Sequence, residues 1–381
     1  MYRFYHLLFL IEFNAVLIFL HLYKYLAIKK KRGSDIRILA LPYYSLNYAG
    51  GHSRIGDWKP YFEKNNIQYD VHWASEAQEF LQEFMTDNWL KKYWFYHKLL
   101  WRRVKVIFLL KNYDSIWIQR AFIPFYPFKD AYFEKLINQL HKNITIDFYD
   151  ADYESNYNLT INAAKYSKKV TVASKYLQDF FFRKNIQTYH VRLAMDHKIY
   201  KENIFKKNDD YEIIIGWMGA PENFKNILLV MDELKEIERM HNNVRFHFIC
   251  RELPKIPLTR YKQYKWGDKG FNYYTLISNF DIGIAPMIYA TERDKGKTAF
   301  KTLEYMASGV PFVTSPWGVS DKLIDNNNCL FAYNKQEWKE KLNQLIEDEK
   351  LRQRLRTEAK KTLLKYHSYE NVYLGLKQIL I

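Results

Sequence analysis

The chain has 381 residues, 48% of them apolar and 26% charged, which leaves room for two cores of ordinary size and excludes a disordered polypeptide. Its formal net charge of +16 favours anionic partners such as acidic headgroups or phosphorylated substrates. Nucleic acid is disfavoured, because the basic residues are scattered and no zinc-knuckle or RNP-type motif is present. Two cysteines, Cys250 and Cys329, rule out a disulfide framework and fit a reducing compartment.

Residues 5–28 form the most apolar stretch, interrupted by Glu12, Asn14, His21 and Lys24. A charge near mid-bilayer costs about 2.5–3.5 kcal/mol, which a dozen large apolar side chains offset. No small-residue cleavage site follows, so a secretory signal is not the reading. Lys29, Lys30, Lys31 and Arg32 come next and would hold the following chain on the cytoplasmic side. The expectation is a membrane-associated helix over 1–33, spanning or interfacial, with a helix packed on the protein itself as the alternative. Residues 90–110 interleave Lys91, Lys92, Lys98, Arg102, Arg103 and Lys105 with Tyr93, Trp94, Tyr96 and Trp101. That pattern suits an anionic membrane surface as well as a solvated basic face.

From residue 35 onward apolar runs alternate with amphipathic segments. Strands are predicted at 36–41, 67–73, 115–119, 144–148 and 170–173, with Ser174 placed to cap the following helix. A charged stretch at 200–211 reads as a linker. The alternation then restarts, with strands at 212–215, 244–250, 280–285 and 311–314 and helices over 224–240, 337–346 and 348–365. Strands separated by helices imply parallel sheets covered on both faces, hence an α/β protein with two similar domains. Ligands in such folds sit outside the carboxyl ends of the strands.

Residues 296–318 read GKTAFKTLEYMASGVPFVTSPWG. Thr298 can cap a helix reaching about residue 308, and Gly309 can end it. Lys297, Lys301 and Glu304 are spaced i, i+4, i+7 on one face, and Phe300, Leu303 and Met306 form the other. Two lysines at a helix start suit a diphosphate, and a carboxylate one turn on can accept hydrogen bonds from ribose hydroxyls.

This segment, with its K-x-x-E-Y-M-A-x-G-x-P-x-V-x-S-x-x-G pattern from Lys301, resembles the nucleotide-sugar segment of the retaining glycosyltransferases of family 4. The likeness extends over most of the second domain: 214–219 is similar to its first strand and glycine turn, 323–351 to its closing helices, and 367–369 to the stretch before a last helix that crosses back. The resemblance implies a GT-B fold, two Rossmann-like domains facing a cleft, divided here as 34–205 (acceptor), 206–365 (nucleotide sugar) and a 366–381 helix. It implies that Glu304 binds the donor ribose and that Lys301 and Lys297 lie near the diphosphate, with Lys225 and more weakly Arg251 as further phosphate contacts. Gly219 and Thr298 join the donor set, and Gly50 and Gly51 match a glycine pair after the first strand. His52 and Arg54 fall on the acceptor side. Gly296 stands where the family has the first Glu of its E-x7-E motif, leaving Glu292 and Asp294 as the nearest substitutes, and no arginine accompanies Lys225.

A competing pattern is Asp150-Ala151-Asp152, formally the D-x-D that holds a metal in GT-A transferases, although Asp147, Asp150 and Asp152 can equally line the acceptor side. Other readings are a GT-B epimerase or phosphorylase, and a non-catalytic membrane-bound assembly protein. The expected activity is retaining glycosyl transfer without metal or cofactor. The acceptor is expected to be a lipid-linked saccharide for cell-surface polysaccharide at the cytoplasmic face.

Overall fold

A computed structural model of the chain describes residues 2–26, 35–45, 49–125, 129–200, 212–252, 254–265, 268 and 270–381. The basic run at 29–32 and all but Tyr200 of the expected linker lie outside them. The chain divides into two compact units, Met1–Leu193 with Val372–Ile381, and Ala194–Asn371.

The first unit holds strands β1 (Arg37–Leu41), β2 (Gln68–Val71), β3 (Ser115–Gln119), β4 (Ile144–Phe148), β5 (Lys169–Val172) and β6 (Tyr189–His190). They form one parallel sheet in the order β2-β1-β3-β4-β5-β6. Every residue of β3 and β4 is buried, as expected for strands covered on both faces. Ser174 caps the Lys175–Phe182 helix as its spacing predicts, accepting from the Leu177 amide. The last residues return to this unit: Tyr373 packs on Tyr61 and Phe62.

The first helix, Tyr2–Leu26, belongs to the core of this unit. Phe9, Phe13, Val16 and Leu20, spaced i, i+4, i+7 and i+11, are all at most 5% exposed. They join the cluster that contains Phe95, Tyr96 and Leu99 of the Trp89–Leu109 helix. Among the described residues no helix is long and apolar enough to cross a membrane. Glu12, Asn14 and His21 break the run, and one face of the helix is committed to the protein.

The second unit holds β7 (Ile213–Met218), β8 (Val244–Ile249), β9 (Tyr261–Tyr264), β10 (Ile282–Ala285), β11 (Phe312–Thr314) and β12 (Leu330–Phe331). The sheet is again parallel, in the order β12-β11-β10-β7-β8-β9. The strands β6, β9 and β12 were not expected; they are edge strands, β6 and β12 only two residues long and β9 half-exposed. The amphipathic stretch at 224–240 is two helices, Phe224–Leu228 and Met231–Met240. Its inner face, with Phe224, Ile227, Leu234 and Ile237, fills the core beside Trp338.

Candidate active site

In the second unit the segment that carries the sequence argument forms a nine-residue helix, Phe300–Ser308. Gly309 ends it in the left-handed conformation at φ 66°, which a residue without Cβ adopts at no steric cost. The start differs from expectation. The N-cap is Ala299, with no side-chain cap bond, and Thr298 is buried ahead of it. The reason is a separate short helix, Glu292–Gly296, started by a capping box between Thr291 and Asp294 and ended by extended backbone at Lys297. Lys297 therefore lies outside the helix of Lys301 and Glu304, and its Nζ is 2.8 Å from Asp294 Oδ1. The helix also lacks a solvated face: Thr302 to Ser308 are all buried, and the Tyr305 hydroxyl donates to Ile284 O of β10 at 2.9 Å.

Lys301 reaches the carboxyl end of β7. Its Nζ lies 5.3 Å from the centre of the Trp217 ring, a cation–π contact. Gly219 follows that strand, and its bare Cα makes the approach possible: a Cβ there would stand 2.9 Å from Lys301 Cε and 3.1 Å from Nζ. Among the described residues the Lys301 ammonium has no ion pair or hydrogen bond. Burial lowers its pKa to about 8, against the opposing influence of the Glu304 carboxylate. Glu304 is 5% exposed. Its Oε1 accepts from the Tyr273 hydroxyl at 2.8 Å and the Tyr200 hydroxyl at 3.1 Å. Burial raises its pKa to about 7, although both phenols and Lys301 favour the charged form. Lys225 and Arg251 are exposed, on the Phe224–Leu228 helix after β7 and just past β8 respectively. The structure thus brings Gly219, Lys301 and Glu304 together and leaves Lys297 beside Asp294.

The first unit has a different polar centre. Arg54, expected on the acceptor side, is 1% exposed. It grips Asp147 of β4 with Nε at 2.8 Å and Nη2 at 2.6 Å, and donates to Val191 O. Asp147 also accepts from Thr171 Oγ1 at 2.6 Å. This pair ties the interior together and is closed to a ligand. Asp150 and Asp152 both pair with Arg120, through Nη2 and Nη1. Arg120 thus occupies an oxygen of each D-x-D carboxylate, and one guanidinium against two carboxylates leaves the group with a net charge of −1. Arg120 follows β3 at φ 61°, and its guanidinium lies 5.3 and 5.1 Å from the ring centres of Tyr43 and Tyr44. Beside it is a pocket of about 600 Å³, lined among others by Tyr43, Arg120, Asp152, Asn156 and Tyr157.

Gly50 and Gly51 lie in a four-residue helix, Ala49–His52. A Cβ on Gly51 would stand 2.9 Å from the Trp73 ring, so that glycine serves packing within the unit. His52 Nδ1 is 3.1 Å from Asp57 Oδ1. Sequence reasoning missed Tyr200, Tyr273 and Arg120. Tyr200 fell within the expected linker, and no local pattern marks any of the three.

Residues 230–379 match the family described as Glycosyl transferase-like. No curated protein sequence is significantly similar to this one. Among solved structures, a glycosyltransferase from Rickettsia africae ESF-5 is similar at a TM-score of 0.65 and 12% identity, over 91% of this chain and 98% of that one. The Anabaena protein HepE in complex with UDP and glucose gives a TM-score of 0.61 and 13% identity, over 91% and 99%. Sucrose-phosphate synthase from Thermosynechococcus elongatus gives 0.61 and 10%, over 90% and 98%. This chain therefore has the two-domain α/β fold of solved GT-B glycosyltransferases, and its residues 230–379 are similar to the glycosyl transferase-like family.

Proposed function

We propose that this chain is a retaining, metal-independent glycosyltransferase that moves a hexosyl group from a nucleotide-sugar donor to a lipid-linked saccharide in cell-surface polysaccharide assembly, at the cytoplasmic face of the membrane. The observation that carries the reading is the Lys301 ammonium, without an ion pair or hydrogen bond among the described residues, beside bare Gly219 and in the first turn of its helix. A half-buried cation with no carboxylate in direct contact is incompletely compensated and becomes favourable when an anionic ligand supplies the missing contact. HepE structures holding UDP and UDP-glucose support a uridine diphosphate sugar as the first donor to test.

In this reading the bond from the anomeric carbon to the diphosphate breaks, and negative charge grows on the leaving oxygen. Lys301, the amides of its helix and, secondarily, Lys225, Arg251 and Lys297 stabilise that charge, in place of a metal. Glu304 accepts hydrogen bonds from the donor ribose, held in place by Tyr200 and Tyr273. Thr298 and the Gly219 backbone shape the wall of the donor site. The acceptor oxygen bonds to the anomeric carbon on the face the diphosphate leaves, and its proton passes to the departing diphosphate oxygen. The pocket beside Arg120, with Asp150 and Asp152 both bonded to that guanidinium, suits hydroxyl-bearing acceptors without negative charge; His52, Gly50 and Gly51 belong to the same unit.

The test is turnover across UDP-, GDP-, ADP- and TDP-sugars in EDTA, with the anomeric configuration of the product read by NMR. EDTA-resistant, selective turnover with retention is expected. Turnover that needs a divalent metal, or an inverted product, would overturn the reading.

A further inference from the structure

The first helix is apolar on two opposite faces, and only one is covered. Phe9, Phe13, Val16 and Leu20 are in the core, while Leu7, Leu10, Ile11, Ile18, Phe19 and Leu22 are between 38% and 64% exposed. These six fall within a half-turn sector opposite the buried four, and their spacing makes one continuous stripe along the helix. A stripe of that length exceeds the scattered apolar exposure of ordinary surfaces.

Two polar residues on this face are tied to their own helix. Asn14 donates from Nδ2 to Leu10 O at 2.8 Å, and His21 Nδ1 lies 2.8 Å from Leu17 O. Each side chain thus bonds through one nitrogen to a carbonyl of its own helix. Glu12, the acidic residue of the stretch, is drawn to the flank: its Oε1 accepts from Trp101 Nε1 at 2.7 Å and stands 2.6 Å from His97 Nδ1.

The neighbouring Trp89–Leu109 helix extends the surface. Trp94 and Trp101 are 53% and 38% exposed, and Trp101 touches the first helix through Glu12. Lys91 and Lys105 are exposed on the same helix and have no acidic partner among the described residues. An apolar stripe edged by indoles and lysines matches the layered order of an anionic bilayer surface, with acyl chains, then carbonyls, then phosphates. A second copy of the chain would meet like charge at those lysines.

We infer that the first helix lies in the plane of an anionic membrane, with Leu7, Ile11, Ile18 and Leu22 in the acyl boundary, Trp94 and Trp101 at the headgroups, and Lys91 and Lys105 on lipid phosphates. The inference rests on the membrane-side reading above and adds the surface and its lipid class. It concerns binding alone, so its failure would leave donor turnover untouched.

The test uses the full chain with vesicles of phosphatidylcholine, with and without phosphatidylglycerol. Sedimentation with the anionic vesicles, weakened by salt, is expected. The triple change I11E/I18E/L22E should weaken it by about tenfold or more, with donor turnover retained, while F182E, at an exposed phenylalanine elsewhere in the unit, should leave it unchanged. If the triple variant does not fold, a dye on I18C reads the same point, because Cys250 and Cys329 are buried. The dye should shift to the blue on anionic vesicles, and a dye on F182C should not. Wild-type protein that stays in the supernatant, a triple variant that pellets equally, an I18C dye indifferent to vesicles, or a lipid-free dimer broken by the triple change would each overturn the proposal.

Discussion

The polar centres of the two units place charge differently. In the first, Arg54 meets Asp147, and Arg120 meets Asp150 and Asp152, while buried Arg103, away from that centre, is held by the His72 and Pro42 carbonyls. In the second, Lys301 has no carboxylate on its ammonium, and Glu304 is held by two neutral phenols instead of a cation. A matched centre is stable alone and offers hydroxyl and amide chemistry. An unmatched one is incomplete until an anion arrives. Under the proposed function, the diphosphate belongs to the second unit and a hydroxyl-bearing acceptor to the first.

The comparison can be broken most sharply at Arg54. In R54M the Asp147 carboxylate stays buried with only Thr171 to bond it, which should cost about 3–5 kcal/mol of stability. The double change R54M/D147L should recover most of that loss in a denaturant titration. Activity lost at unchanged stability would instead make Arg54 a ligand contact.

Lys301 should behave in the reverse manner. K301A should lower kcat by about 10²–10³-fold, the scale of losing one group that stabilises developing charge, while melting at or above the wild-type temperature. Near-normal turnover would remove Lys301 from the chemistry. G219A is a gentler probe of the same contact. Its Cβ would press on Lys301 Cε, and displacing the ammonium should cost about 10- to 100-fold in turnover.

The smallest effect is on pH. Glu304 has its folded pKa raised from 4.5 to about 7 by burial. Between those values the folded state holds the proton more tightly than the unfolded chain. The contribution is fully present below about 4.5 and is lost as pH rises through 7. Melting curves of E304Q should therefore fall less than wild type across this window. Parallel curves would mean that Glu304 is solvated as an ordinary carboxylate.

Most of this contrast was legible on one side only. The 300–309 helix, its glycine end and the Lys301–Glu304 spacing follow from local sequence, because each depends on neighbours within one or two turns. The helix start was misplaced at Thr298 because the Thr291-x-x-Asp294 capping box, which starts a separate helix, went unread. The partners were not legible at all. Arg54 and Asp147 are 93 positions apart, and Tyr200 and Glu304 are 104; only the sheet order and chain return bring them together. A helix does cover most of the run at 5–28. Whether it would span or pack depended on Phe9, Phe13, Val16 and Leu20 finding the Trp89–Leu109 helix, a tertiary fact that hydropathy does not contain.

The measurement closest to the central claim is equilibrium binding of UDP in EDTA to the wild type, K301A and an Arg120→Gln variant. Metal-free binding to the wild type, weakened by about tenfold or more in K301A and unchanged in R120Q, is the predicted result. Binding that requires a divalent ion, is indifferent to Lys301 and is lost in R120Q would move the diphosphate to the first unit and contradict the account.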